Sequence, residues 1–124
     1  MKSFTSFPSR PNDAILMVQS YREGELQGFL AHSRLSAPKP VKSMAHFLLL
    51  LDDILLREEE KISYHSFEAE QYGSITRIAT IRIQILFREH HTWQGFLQWE
   101  EEKKEASFRS ALELIELLDE ILAD

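Results

Sequence analysis

An α+β fold made of a tandem duplicated β-β-(short β)-α unit is predicted by three features of this 124-residue sequence. The tetrapeptide Gln27-Gly28-Phe29-Leu30 returns unchanged as Gln94-Gly95-Phe96-Leu97, and the same offset of 67 lays Leu50-Leu51-Asp52-Asp53-Ile54-Leu55 over Leu117-Leu118-Asp119-Glu120-Ile121-Leu122. Residues 27–55 and 94–122 share ten identities in 29 ungapped positions, Ser43 with Ser110 among them, so one small unit is written twice. Each half also opens on apolar residues of period two and closes on apolar residues at helical spacing. The expected architecture is an antiparallel sheet or open barrel with two helices packed on it about a pseudo-two-fold axis.

Residues 1–12 carry Pro8 and Pro11 and read as an extended arm. Residues 13–124 form a single domain of two repeats, 13–58 and 76–123, joined by a connector over 59–75. Tyr64, Phe67 and Tyr72 make that connector too aromatic for a flexible linker, so the first helix is covered either by it, as that content favours, or by another subunit.

In the first repeat Ile15, Met17 and Tyr21 define the inward phase of a strand, Glu23-Gly24-Glu25 a turn, and Leu26 and Leu30 the inward side of its partner. In the second, Ile81, Ile83, Ile85 and Phe87 alternate with Arg82, Gln84 and Arg88, residues 89–92 form a polar turn, and Trp93, Leu97 and Trp99 face inward. Tyr21-Arg22-Glu23 matches Phe87-Arg88-Glu89 one residue out of step, which a one-residue difference in turn length explains. Gly28 and Gly95 sit within strands and suit a bulge or the close approach of a neighbour.

Val41-Lys42-Ser43 and Phe108-Arg109-Ser110 read as short third strands running into helix caps. Ser110 with Glu113 makes a capping box, whereas His46 stands at the corresponding position after Ser43 and leaves that cap incomplete. The second helix has one apolar side, formed by Leu114, Ile115, Leu118, Ile121 and Leu122. The first is apolar around most of its girth, with Leu49 where its twin carries Glu116.

Strand alternation sets Phe29 and Phe96 on the sheet face away from Leu30 and Leu97, and the same register adds Leu16, Val18 and Leu86. One layer of helices leaves that face open, so Leu16, Val18, Phe29, Leu86 and Phe96 are candidate interface residues, and Leu49 joins them from the first helix, whose apolar girth needs cover of its own. A homodimer, or another protein partner, is expected to cover them.

Net charge −6 and a pI near 5.4 repel phosphate backbones and anionic lipid, so neither nucleic acid nor a membrane is an expected partner. Lys103 and Lys104 sit inside the acidic run 100–105, and Arg77, Arg82, Arg88 and Arg109 would serve nucleic acid only if aligned in one stripe. Without cysteine there is no disulfide, thiolate metal site or cysteine nucleophile. The longest wholly apolar run, 47–51, is too short to span a bilayer and no signal-peptide h-region opens the chain, so a cytoplasmic location is expected.

Chemistry-bearing groups are sparse. His90-His91 beside Glu89 lack the His-x-His or His-x-x-x-His spacing that converges on one ion, and nothing aims His32 at His46. No nucleophile elbow occurs, and the four glycines are too scattered for a phosphate loop. Glu58 to Glu60 and Glu100 to Glu102 read as solvated charge, and Trp93 and Trp99 as core rather than a stacking platform. No catalytic, cofactor-binding or metal-binding residue is therefore assigned.

Trp93-Gln94-Gly95, Trp99, Phe108-Arg109-Ser110-Ala111-Leu112-Glu113-Leu114-Ile115 and Leu118-Asp119 together resemble the C-terminal pattern of a group of short uncharacterised bacterial proteins. That resemblance covers about a quarter of the chain, implies a bacterial origin, and brings no activity or ligand with it. The function expected is a non-enzymatic protein-interaction or self-assembly module; the alternative is a small-ligand sensor or enzyme with a pocket between the repeats.

Overall fold

Three strands and a helix, then three strands and a helix again, follow one another along the chain in a computed structural model that describes residues 13–32, 35, 37–56, 76–87 and 93–123. The first repeat contributes β1 (Asp13–Arg22), β2 (Glu25–His32), β3 (Lys39–Val41) and α1 (Met44–Leu56). The second contributes β4 (Ala79–Phe87), β5 (Gln94–Trp99), β6 (Lys104–Phe108) and α2 (Ala111–Leu122). The arm over 1–12 and the connector over 59–75 lie outside the described residues.

All six strands form one antiparallel open sheet in the order β3-β2-β1-β4-β5-β6, so the barrel alternative is not adopted. The repeats meet at its centre, where β1 pairs β4. An offset of 67 turns the pairings of one repeat into those of the other: Leu16↔Leu30 becomes Ile83↔Leu97, and Gly28↔Val41 becomes Gly95↔Phe108. The β1·β4 ladder obeys the same rule, because Ala14↔Ile83 maps onto Leu16↔Ile81 with the strands exchanged. Ile15 pairs with Arg82, its own equivalent 67 residues on, so the pseudo-two-fold axis passes through that pair.

Each repeat also carries a β-bulge at the same place, between Val18 and Ser20 in β1 and between Ile85 and Phe87 in β4. These bulges correct two sequence expectations. Six residues separate Ser20 from its partner Gln27, and six separate Phe87 from Gln94, so the turns do not differ in length. The inward phase of β1 is also shifted by one. Tyr21 does pack against the core, but an extra residue lies between it and the rest of the strand, and counting back by twos from it gives the wrong face. Ala14, Leu16 and Val18 point to the helices together with Ile81, Ile83 and Ile85, while Ile15 and Met17 belong to the opposite face.

The core lies between one sheet face and the two helices. Phe47, Leu51 and Ile54 descend from α1 and Leu114, Leu118 and Leu122 from α2 onto Leu26, Leu30, Val41, Leu97 and Phe108. Trp93 is buried among them and Trp99 partly so, as their strand phase requires. Burying a Leu, Ile or Phe side chain stabilises the fold by about 1.5–3 kcal/mol, so this single layer is the main source of cohesion.

Both helices start from a closed cap. Ser110 Oγ accepts from Glu113 N at 3.1 Å, and Glu113 Oε1 accepts from Arg109 N at 2.9 Å, a capping box displaced by one backbone amide. At α1, Ser43 Oγ accepts from His46 N at 3.0 Å and His46 Nδ1 accepts from Lys42 N, also at 3.0 Å. The imidazole nitrogen takes the place of the glutamate oxygen, so the cap expected to be incomplete is complete.

Candidate functional site

The six candidate interface residues do not assemble into one surface. Leu16 and Val18 are wholly buried under the helices, a correction that follows from the bulge in β1. Leu86 is the extra residue of the second bulge and is 45% exposed. Phe96 is 36% exposed and Phe29 half-buried. They are two-fold equivalents on β2 and β5, separated by about 14 Å across the strands, with β1 and β4 between them, and by four residues, about 13 Å, along the strands. Leu49 stands 69% exposed on α1, and Leu112, which sequence reasoning passed over, is 63% exposed on α2.

Sheet register shows how the face opposite the helices is built. Its first half collects Ile15, Met17, Phe29, Ala31 and Pro40, and Met17 and Ala31 are buried there. Its second half collects Thr80, Arg82, Gln84, Gln98, Glu105 and Ser107 around Phe96. The expectation of a uniformly apolar second face therefore holds for one repeat only. Backbone register is shared by the two copies, while the side chains on this face have diverged.

Polar groups of the second half are engaged with one another. Glu101 in the β5–β6 turn grips Thr80, accepting from its N–H at 2.8 Å and from its hydroxyl at 2.7 Å. Gln98 Nε2 donates to Glu105 Oε1 at 2.9 Å. Burial pushes the Glu100 carboxyl above its ordinary range, and neighbouring Glu101 pushes the same way, while Arg82 and Lys103 pull it back. The acidic run read as solvated charge thus contains a clamp, Glu101, which fastens the turn to the start of β4.

On the helix side, the Tyr21 hydroxyl of β1 donates to Asp119 Oδ1 of α2, linking the first repeat to the second. That bond, with burial and the nearby negative charge, pushes the phenol up from 10.0 to about 12. His46 is committed to the α1 cap, Ser43 and Ser110 to their helices. His90 and His91 lie outside the described residues, as does Arg88. Arg82 stands at the pseudo-two-fold axis and Arg109 just ahead of α2, on different elements. Among the described residues no group of three His, Cys, Asp or Glu is placed to hold a metal ion, and no helix is long and apolar enough to cross a membrane.

The repeats meet along the β1·β4 ladder, whose side chains Ala14, Leu16, Ile81 and Ile83 are buried. What remains distinctive on the surface is the pair of sheet edges, β3 and β6, which periodicity alone did not single out. A signal for them was present in Pro40, a residue that cannot donate to a ladder. No protein-family model, curated protein or solved structure matches this chain.

Proposed function

We propose that this chain is a non-enzymatic protein-interaction module that assembles with copies of itself. The observation carrying this reading is the contrast between its two kinds of surface group. Leu49 and Leu112 project from rigid helices at 69% and 63% exposure, while the hydroxyl, imidazole and carboxyl groups of Ser43, His46, Thr80, Glu101, Ser110 and Glu113 are spent on caps and a turn clamp. Apolar side chains on regular elements favour association, because covering them removes apolar area from water at about 25 cal/mol per Å². The polar groups, being already bonded within the fold, stabilise it rather than converge on a reacting atom.

Sedimentation velocity over a wide concentration range tests the reading. A mass that rises to twice the 14.5 kDa of the chain is expected, and a single monomer boundary throughout contradicts it.

A further inference from the structure

Resting on that reading of a self-assembling module, we propose that two copies join edge to edge through β6, antiparallel and centred on Ala106, to make one continuous twelve-stranded sheet. The chain offers two edges that are equivalent by the 67-residue rule and differ in a way that bears on pairing. Pro40 of β3 lies opposite Phe29, and Ser107 of β6 lies opposite Phe96. Proline is accepted in an edge strand when its nitrogen faces away from the ladder, where it denies a donor to any incoming strand. β3 is three residues long with a proline at its middle, whereas β6 is five residues long and has none. One edge is closed and, among the described residues, its twin is open.

Hydrogen-bond alternation identifies which groups β6 presents. Thr80 O accepts from Glu100 N at 3.0 Å, so the even-numbered residues of β4 direct their backbone groups toward β5. Carried through the pairings Arg82↔Gln98 and Gln84↔Phe96, the alternation turns Gly95, Leu97 and Trp99 toward β6. Their partners Phe108, Ala106 and Lys104 face back, which leaves the N–H and C=O of Glu105 and Ser107 directed outward. The same alternation through β1 and β2 directs Pro40 outward, as the proline rule requires.

A second β6 is the strand these groups fit. In an antiparallel pairing centred on Ala106, Glu105 of each copy opposes Ser107 of the other, and each such pair exchanges two backbone hydrogen bonds. Lys104 then opposes Phe108, so no like charges face each other. Sliding the pairing by two residues toward the turn would set Glu105 against Glu105, and parallel pairing would also set Lys104 against Lys104, both unfavourable. β6 carries one lysine and one glutamate, so its self-pairing is neutral in a chain of net charge −6.

The helix above adds apolar contact. Asp119 turns one flank of α2 toward β1 through Tyr21, and at 100° per residue Leu117 and Ile121 lie on the other side of the buried line Leu114, Leu118 and Leu122. That flank, partly buried against the core, faces the free edge. Joining two β6 strands brings it alongside its copy across the two-fold.

Light scattering on three variants tests this against the wild type. Ser107→Pro copies into β6 the residue that the fold already holds at the equivalent position, so it is expected to give a monomer with unchanged circular dichroism. Ser107→Lys sets a cation against Glu105 twice per dimer and Ser107→Glu sets a carboxylate there, so their dissociation constants are expected to differ by about tenfold, the lysine variant being tighter. That second comparison decides the matter if the proline variant does not fold. A wild type that self-associates while Ser107→Pro associates equally well, or while the lysine and glutamate variants do not differ, overturns the β6 joint and leaves self-assembly standing through another surface. A wild type that stays monomeric overturns both.

Discussion

At Gly28 and Gly95 an added methyl would meet the backbone of the neighbouring strand, the carbonyl of Met17 in one repeat and of Gln84 in the other. Both glycines sit beside a bulge, where the partner strand crowds inward, so their identity is dictated by backbone approach. Gly24 is different: it adopts φ 79° in the two-residue turn after Glu23, itself at φ 53°, and a side chain there would find open space. Gly28→Ala and Gly95→Ala are each expected to cost more than about 2 kcal/mol in urea unfolding, and Gly24→Ala only about 1 kcal/mol. A Gly28→Ala protein as stable as the wild type would show that β1 and β2 do not close together at the bulge. Trp99 is another local compromise, since its ring packs on the core with Lys104 Nζ 5.9 Å from its centroid while its Nε1 is buried with no hydrogen-bond partner among the described residues.

Among the elements, α2 is tied to the other repeat by the side-chain bond from Tyr21 to Asp119. Because the folded state holds the Tyr21 proton to about 12, against 10.0 for a free phenol, the bond contributes fully below pH 10 and its contribution is lost as pH rises toward 12. The stability difference between wild type and Tyr21→Phe, followed by urea unfolding, is therefore expected to be constant up to about pH 9 and to shrink above it. A difference that stays level through pH 11 would mean that the phenol and Asp119 are not joined in solution. The elements themselves were legible in the sequence wherever one rule decided them. Period-two runs placed β1, β2, β4 and β5, serines placed both helix starts, and the repeated glycines pointed to close backbone approach. Two features escaped for physical reasons. A bulge inserts a residue without any compositional mark, so the face of Leu16 and Val18 was read backwards. His46 was passed over because an imidazole nitrogen can accept an amide proton as a glutamate oxygen does, an equivalence visible only when Lys42 N is seen 3.0 Å away.

For the molecule as a whole, duplication explains more than the matching tetrapeptides. It explains why the bulges, the glycines, the third strands and the caps recur at one offset, and why the two copies meet where Ile15 pairs with Arg82. Divergence has then changed the sheet face away from the helices and the two edges. Met17 became Gln84 across the axis, Ala31 became Gln98, and Pro40 became Ser107, so a symmetric backbone presents one apolar half-face, one polar half-face and two unlike edges. The candidate site was the least legible part of the sequence, because it depends on which strands end the sheet, and strand order is not written in periodicity. The central claim is the two-fold joint between repeats, and inter-strand nuclear Overhauser contacts between α-protons read it most directly. In antiparallel pairs these protons approach closely only where the residues do not exchange hydrogen bonds. Contacts are predicted between Ile15 and Arg82, Met17 and Thr80, and Asp13 and Gln84. Contacts that place β1 beside any strand other than β2 and β4, or that pair Ile15 with a neighbour of Arg82 instead, would contradict it.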